Sequence, residues 1–426
     1  MMILLFGVFI LTLMMGLPIA FCLGISSLAY LLFSGIPLEV IPQKMYSGMD
    51  SFVLLCIPGF ILAGNLMNQG GISKRIIDFC NALIGHIRGG LALAAVVASM
   101  IFAGISGTAA ADAASIGAIM IPSMIKAGYK DDFACALTSS ASTVGPIIPP
   151  SVPMVIVGTL TGLSVGKLLV ASAIPGIILG IALMITSYII SIKKNYPKGE
   201  RSSFREIIKN FFSAFWAIIM PIIILGGIVG GFSTPTEASI IAAIYAFIVG
   251  TFIYKELNIK NIKKVLLEST INSASIIFLV GFANVFAWIM ASEQIPQLIA
   301  NFLLSISSNR YIILLIINIL LLIVGMFMET IAALIILFPV LLKVVVPLGV
   351  DPIHLAVIVV LNLVIGLNTP PVGVCMFITT SIAKISVTKF TKAVIPFLLV
   401  SIAILMLVTY IPQTTLFLPN LLFNGR

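Results

Sequence analysis

Charged residues are scarce in this sequence. Only 9% of its 426 residues are Asp, Glu, Lys or Arg, whereas 60% are hydrophobic. Soluble domains carry about 25% charged residues, and the mean hydropathy here is +1.24. So small a charged fraction excludes an ordinary soluble protein. Because a backbone in lipid must satisfy its own hydrogen bonds, long apolar segments predict helices, and we expect an all-α polytopic membrane protein.

Residues that usually carry catalysis or bind metals are also few. The chain has two histidines and five cysteines. We interpret His86 and His354, which lie at loop edges, as interfacial residues. No Ser/His/Asp set, phosphate-binding loop or metal motif is present, so the sequence predicts neither an enzyme nor a bound cofactor. The cysteines lack metal-binding spacing and are interpreted as small core residues; they are Cys22, Cys56, Cys80, Cys135 and Cys375.

The formal net charge is +9, which in a soluble protein would suggest a nucleic-acid partner. Here the basic residues lie in short loops between apolar segments, where they determine orientation through the positive-inside rule. We therefore expect contact with membrane lipid and none with nucleic acid.

The apolar segments form an internal repeat. Gly104 aligns with Gly325 and Pro175 aligns with Pro396, both at an offset of 221 positions. At the same offset, GPIIPP at Gly145 to Pro150 aligns with GLNTPP at Gly366 to Pro371. A recurring match in register indicates two related halves.

The charges of two equivalent connectors differ. The connector from Ile72 to Arg88 contains three basic residues, whereas its repeat partner from Glu293 to Ser308 contains no lysine or arginine. The first is expected to be cytoplasmic and the second external. Equivalent loops on opposite faces predict inverted-topology repeats.

The number of times the chain can cross the membrane then distinguishes hairpins from interrupted helices. Both ends of the stretch 89–192 are expected inside, so one of its three apolar segments cannot cross. We predict re-entrant hairpins at Gly89 to Met124 and Tyr311 to Val346, turning at Gly104 to Thr108 and near Gly325 to Thr330. Discontinuous helices are predicted at Phe133 to Leu163 and Pro352 to Ile382, broken at the double prolines.

These predictions define the expected domain boundaries. The first repeat is 1–192, with scaffold 1–70, arm 72–88, transport part 89–163 and closing helix 166–192. A basic cytoplasmic connector, 193–210, follows, and its part Ser202 to Lys209 is expected to lie along the membrane surface. The second repeat is 211–426, with scaffold 211–291, arm 293–308, transport part 311–384 and closing helix 391–411. Met1 to Phe33 is either one tilted span or two short ones broken at Gly16 to Pro18, and this choice determines the side of the N-terminus.

A binding site is expected where the hairpin turns meet the helix breaks. A broken helix leaves carbonyls free on one side and amides free on the other. Carbonyls and hydroxyls suit a hard monovalent cation, and helix N-termini suit a carboxylate. We expect largely backbone ligation at two cation sites formed by Gly104, Ser106, Val144, Gly145, Pro149, Gly325, Gly366 and Thr369.

Polar residues beside these turns and breaks are candidates for substrate binding. They are Thr108, Asp112, Ser142, Thr143, Glu329 and Asn368. Acids within a membrane are costly and are functional candidates by default, although Asp112 and Glu329 could instead cap a helix or pair with a basic residue. Glu237 follows Thr234 and Pro235, where helix capping already explains it. The double prolines could also be kinks that only assist packing.

At these residues the chain resembles a known family, the large membrane subunit (M, or DctM, type) of tripartite ATP-independent periplasmic (TRAP) transporters. The resemblance covers nearly the whole chain. Its motifs are IPGFILAGNLM at Ile57 to Met67, GISGTAAADAASIGAIMIP at Gly104 to Pro122, STVGPIIPPS, TPTEA at Thr234 to Ala238, and GLNTPP.

The resemblance implies a secondary active, sodium-coupled importer of an organic acid, such as a dicarboxylate or a sialic acid, with an elevator mechanism. It implies sodium as the coupling ion at the two cation sites and a location in the bacterial inner membrane. It also implies two partners, a periplasmic substrate-binding protein and a small four-helix membrane subunit, which is expected as a separate chain. The alternatives are a stand-alone sodium/anion symporter of the same superfold and, from another class, a channel or an intramembrane enzyme, neither of which the sequence encodes by any motif.

Overall fold

The computed structural model describes residues 2–307 and 309–423. The expected boundaries at Met1, Ser308 and Arg426 lie outside these residues. Within the described ranges the chain is helical, and its extended pairing is limited to one isolated bridge between Arg88 and Lys198. The prediction of an all-α protein is confirmed.

Ten helices make up the first half of the chain. They are α1 (Met2–Met14), α2 (Ile19–Ser34), α3 (Val40–Met49), α4 (Cys56–Gln69), α5 (Ile72–Ile84), α6 (Gly90–Ser106), α7 (Ala109–Lys126), α8 (Asp131–Ser142), α9 (Val152–Thr161) and α10 (Val165–Lys193). A short 3₁₀ helix, Phe52–Leu55, precedes α4.

Ten further helices make up the second half. They are α11 (Phe204–Val229), α12 (Pro235–Ile248), α13 (Ile259–Ser292), α14 (Ile295–Ile306), α15 (Arg310–Phe327), α16 (Thr330–Val345), α17 (Pro352–Gly366), α18 (Val374–Ala383), α19 (Val387–Tyr410) and α20 (Gln413–Phe423). A π-helical turn, Val249–Ile253, extends α12, and a 3₁₀ turn, Val346–Leu348, follows α16.

Nine helical stretches of the described residues are long and apolar enough to cross a bilayer. The longest, α13, has 34 residues, which at about 1.5 Å per residue exceeds a hydrocarbon core of about 30 Å. The chain is thus a multi-pass membrane protein.

The N-terminal segment consists of two short helices. Pro18 stands at the start of α2, where its fixed φ and missing N–H are tolerated. Gly16 takes a φ of 78°, a left-handed conformation that glycine adopts without steric cost. Of the two alternatives for Met1 to Phe33, the structure has the broken one.

A helix covers most of the predicted surface segment from Ser202 to Lys209. Helix α11 begins at Phe204 and continues without interruption to Val229. Ser203 and Glu206 form a reciprocal capping box at this helix start. This capping box explains why the helix starts at Phe204, seven residues before the start that the apolar pattern predicted.

Sharp turns and interruptions occur where the sequence predicted them. Helices α6 and α7 are joined by Gly107–Thr108, which we name the first tip, and α15 and α16 by Met328–Glu329, the second tip. Between α8 and α9 the helix is interrupted at 143–151, the first break, and between α17 and α18 at 367–373, the second break. The Pro149–Pro150 and Pro370–Pro371 peptide bonds within the breaks are cis.

The arm helices α5 and α14 are fixed to the rest of the chain at their N-terminal ends. Arg75 of α5 contacts Glu256 at 2.7 Å and lies 4.0 Å from the centre of the Tyr254 ring. Just before α14, the Glu293 carboxylate accepts a hydrogen bond from the Tyr30 hydroxyl of α2. Each arm is therefore held to a neighbouring segment at one end.

Candidate functional site

The first tip lies directly against the first break. A Cβ atom on Gly107 would come 2.8 Å from the Pro150 carbonyl oxygen, and one on Gly104 would lie 3.4 Å from the Pro149 oxygen. From the other side, a Cβ on Gly145 would lie 3.2 Å from the Thr108 oxygen. The two backbones approach this closely because the contact positions carry no side chain.

Several carbonyl groups of the first break are available for a ligand. The Val144 oxygen accepts the N–H groups of Ile147 and Ile148, and the Pro146 oxygen accepts the Ser151 hydroxyl. By contrast, the carbonyl oxygens of Gly145, Pro149 and Pro150 accept no hydrogen bond from the described residues. Of the predicted cation ligands, Gly145 and Pro149 thus retain free oxygens, whereas the Val144 oxygen already accepts two bonds.

A similar backbone contact joins the end of α15, just before the second tip, to the end of α17 and the second break. A Cβ on Gly366 would lie 2.5 Å from the Gly325 carbonyl carbon, so these two predicted residues touch through their backbones. The Val372 N–H donates to the Met326 oxygen at 3.2 Å. The Thr369 hydroxyl donates to the Ile365 oxygen at 3.2 Å, which holds this side chain at the end of α17.

A hydrogen bond joins the two interrupted helices. The Ser139 hydroxyl of α8 donates to the Asn368 side-chain oxygen of the second break at 2.5 Å. Both residues are buried. The partners are 229 positions apart, so the bond connects the first interrupted helix directly to the break of the second.

A cavity of about 550 Å³ opens beside the tips. Helices α4 and α13 form one wall and α6, α7 and the second tip form the other. No lysine, arginine or histidine lines it among the described residues. Its polar lining residues are Asn65, Asn68, Ser106, Thr108, Ser115, Asn272, Ser275 and Glu329.

Glu329 has two roles in this cavity. One of its carboxylate oxygens accepts the N–H groups of Ile331 at 2.8 Å and Ala332 at 3.3 Å, which caps α16. The residue is nevertheless exposed in the cavity. Both expectations for Glu329, helix cap and candidate ligand, therefore fit its position.

The other predicted substrate residues divide into two groups. Thr108 lines the cavity, and its side chain does not cap α7. Four candidates do not line this cavity and are buried behind it: Asp112, Ser142, Thr143 and Asn368. Among them, Asp112 contacts the Ser99 hydroxyl of α6 at 3.3 Å. Ser142 and Thr143 donate their hydroxyls to carbonyls one turn back, at 2.7 Å each.

Sequence reasoning missed the scaffold wall of the cavity. Asn65 and Asn68 lie on α4, and Asn272 and Ser275 lie on α13. The available signal was the presence of side-chain amides within apolar segments, because an unpaired amide in lipid is costly.

One histidine was misjudged as interfacial. His354 is buried in α17 and is 2% exposed. Its ring nitrogens lie 2.8 Å from the Thr415 hydroxyl and 3.2 Å from the Thr409 carbonyl oxygen. A histidine whose two nitrogens both have partners can be buried at little cost, so its place at a loop edge in the sequence was misleading.

Comparison with known proteins places this chain in a family. A family model described as the tripartite ATP-independent periplasmic transporter, DctM component, matches residues 6–414. The chain is 41% identical over 407 residues to the sialic acid TRAP transporter large permease protein SiaM of Vibrio cholerae, covering 95% of each chain. It is 41% identical over 399 residues to the C4-dicarboxylate TRAP transporter large permease protein DctM of Pseudomonas aeruginosa, covering 93% of each.

Solved structures show the same fold. The crystal structure of the Alcanivorax borkumensis YdaH transporter matches with a TM-score of 0.62 at 14% identity, covering 87% of this chain and 86% of that one. At this identity the likeness concerns the fold alone. Because a family model spans nearly the whole sequence and relatives at about 40% identity share its length, this chain belongs to the DctM family of TRAP transporter large permeases, a family of transporters rather than enzymes.

Proposed function

We propose that this chain is the membrane transport subunit of a sodium-coupled, secondary active importer of an organic acid in the bacterial inner membrane. The observation that carries the proposal is a cavity of about 550 Å³ that residues of both tips line, with the first break packed against the first tip. Irregular backbone at membrane depth is tolerated where it is buried in protein or lines a cavity, and in secondary transporters such places bind ions and substrates.

Sodium is the coupling ion in this proposal. The free carbonyl oxygens of Gly145, Pro149 and Pro150 are the hard, neutral ligands that a monovalent cation requires. Ser106 adds a hydroxyl at the first site, and its side chain also lines the cavity. Thr369 with Gly366 and Gly325 forms the second site. A cation bound beside the cavity would favour an anionic substrate there, which couples the two.

The proposed movement is of the elevator type, with two inverted repeats. The unit made of α6 to α9 and α15 to α18 carries the site past a scaffold that includes α4, α12 and α13. The arms α5 and α14 act as its hinges. Gly71 and Gln294, just before the two arms, both have left-handed φ values, of 75° and 54°. Their repetition at equivalent points supports a hinge role.

Two partners complete the proposed importer. The names of the relatives specify a large permease, and the tripartite family description supports a small membrane subunit and a periplasmic binding protein as the other components. The small subunit would cover part of the exposed apolar scaffold surface, and the binding protein would deliver the acid.

Reconstitution in liposomes tests this function. The chain is incorporated with and without a small subunit and a binding protein from the same organism, and uptake of labelled sialic acid and succinate is measured. We expect uptake only with all three components and an inward sodium gradient. Uptake that persists when potassium replaces sodium would contradict the proposal. Sodium-driven uptake by the chain alone would instead support a stand-alone anion symporter.

A further inference from the structure

The polar surface of the cavity is almost entirely neutral. Seven of its eight polar side chains are amides or hydroxyls, and Glu329 is the only acidic one among the described lining residues. An amide offers both donors and acceptors, as does a hydroxyl. Such a surface complements a ligand that itself carries many hydroxyl or amide groups.

Much of this hydrogen-bonding capacity is unused within the chain. Asn65 donates one N–H to Ser269 at 2.8 Å, which leaves its carbonyl oxygen. Asn68 accepts the Ser73 hydroxyl at 3.0 Å, which leaves its amide hydrogens. The side chain of Asn272 makes no hydrogen bond within the described ranges, and it is exposed. All three face the same cavity from the scaffold side.

The charge of the cavity disfavours a second anionic group. A carboxylate on the substrate can lie near the start of α7, where Ala110 and Ala111 line the cavity and Thr108 provides no cap. At the start of α16 the same kind of position is already taken by the Glu329 carboxylate. A second substrate carboxylate would meet this acidic side chain, which offers an anion no attraction, and no lysine, arginine or histidine among the described lining residues.

The volume of the cavity also favours a ligand larger than a small diacid. At about 30 Å³ for each water molecule in the liquid, a cavity of about 550 Å³ holds far more than a four-carbon acid. A small diacid would leave most of the amides hydrated, whereas a larger hydroxylated acid could bond to both walls at once.

We propose that the cavity binds a polyhydroxylated monocarboxylate, an acidic sugar, in preference to a dicarboxylate, with Asn65, Asn68 and Asn272 bonding its hydroxyl or amide groups. The unused Glu329 oxygen accepts a hydrogen bond from a further hydroxyl. This inference rests on the proposed function, since it names the substrate class of the same site.

Ligand-induced stabilisation of the purified full chain in lipid nanodiscs tests the preference. The probes are N-acetylneuraminate and succinate, together with gluconate and hexanoate, which share chain length and charge but differ in hydroxyl groups. We expect N-acetylneuraminate to bind at least about tenfold more tightly than succinate in sodium, and gluconate more tightly than hexanoate.

A pair of asparagine variants on α13 provides the matched control. Asn272→Ala should weaken N-acetylneuraminate binding by about three- to tenfold and leave succinate binding unchanged. Asn284→Ala should change neither, because Asn284 lines a separate cavity of about 140 Å³.

Four outcomes would overturn the inference. Succinate binding as tight as that of N-acetylneuraminate would contradict the preference. Unchanged N-acetylneuraminate binding in Asn272→Ala would contradict the role of the amide wall. Sodium-dependent binding of succinate alone would overturn only this inference and leave import of an organic acid supported, whereas no sodium-dependent binding of any acid would count against both.

Discussion

The first tip leaves bare helix amides near the cavity, whereas the second tip covers its amides with its own carboxylate. Thr108 begins α7 without a side-chain cap, while Glu329 caps α16 through two N–H groups. Glycine nevertheless allows close backbone packing at both places, at Gly107 against the first break and between Gly325 and Gly366 at the ends of α15 and α17. The comparison teaches that the two tips share this close packing of the backbone while the side chains they present differ.

The largest effect is expected from breaking the shared glycine contact. In Gly366→Ala the new Cβ would lie 2.5 Å from the Gly325 carbonyl carbon, so a backbone must shift. We expect a loss of unfolding free energy of about 3 kcal/mol and loss of uptake. Thermal unfolding and liposome uptake would measure these.

Gly226→Ala is the matched control, because a Cβ there meets nothing within 4 Å. It should leave stability unchanged or raise it by up to about 1 kcal/mol. Equal stability of the two variants would refute the close packing of the ends of α15 and α17.

Removing the side chain at each tip is expected to have an intermediate effect on stability, and a different one at each tip. Glu329→Ala removes a helix cap and should cost about 1 kcal/mol of unfolding free energy. Thr108→Ala at the equivalent tip removes no cap and should cost much less. Thermal unfolding of both variants checks the contrast, and an equal loss in both would show that the tips are not asymmetric in this way.

Sodium dependence should respond at both proposed sites. Ser106→Ala and Thr369→Ala should each raise the sodium concentration needed for half-maximal uptake by about fivefold, the equivalent of about 1 kcal/mol for one hydroxyl ligand. Thr186→Ala is the control, because its hydroxyl donates to its own helix at Ala182. If neither Ser106→Ala nor Thr369→Ala changes the sodium dependence, either backbone carbonyls alone bind the ion or the placement of the sites is wrong. Sodium titration of Gly145→Ala would then distinguish these two explanations.

The smallest effect is expected at the first arm. The contact between Arg75 and Glu256 has one side chain 22% exposed and the other 44% exposed, so Arg75→Ala should cost at most about 1 kcal/mol and less in high salt. Unfolding measured at two salt concentrations checks this. A loss well above that value, insensitive to salt, would show that packing on Tyr254 holds the arm instead.

The sequence predicted most of the fold because its signals were local. Glycines and prolines in register marked the turns and breaks, and apolar length marked the helices. The cavity could not be found in this way, since Asn65 and Asn272 are far apart in sequence and only packing brings α4 and α13 together. The burial of Asp112 and His354 depends on neighbouring helices, which neither residue's own segment reveals.

Inverted orientation of the two halves is the central claim, and cysteine labelling tests it most directly. All five native cysteines are buried, so background reaction with an impermeant thiol reagent should be low. Glu293→Cys, before the second arm, should react with reagent added outside the cell, whereas Lys74→Cys in the first arm should react only after the cytoplasmic side is opened. Labelling of both positions from the same side would contradict the account.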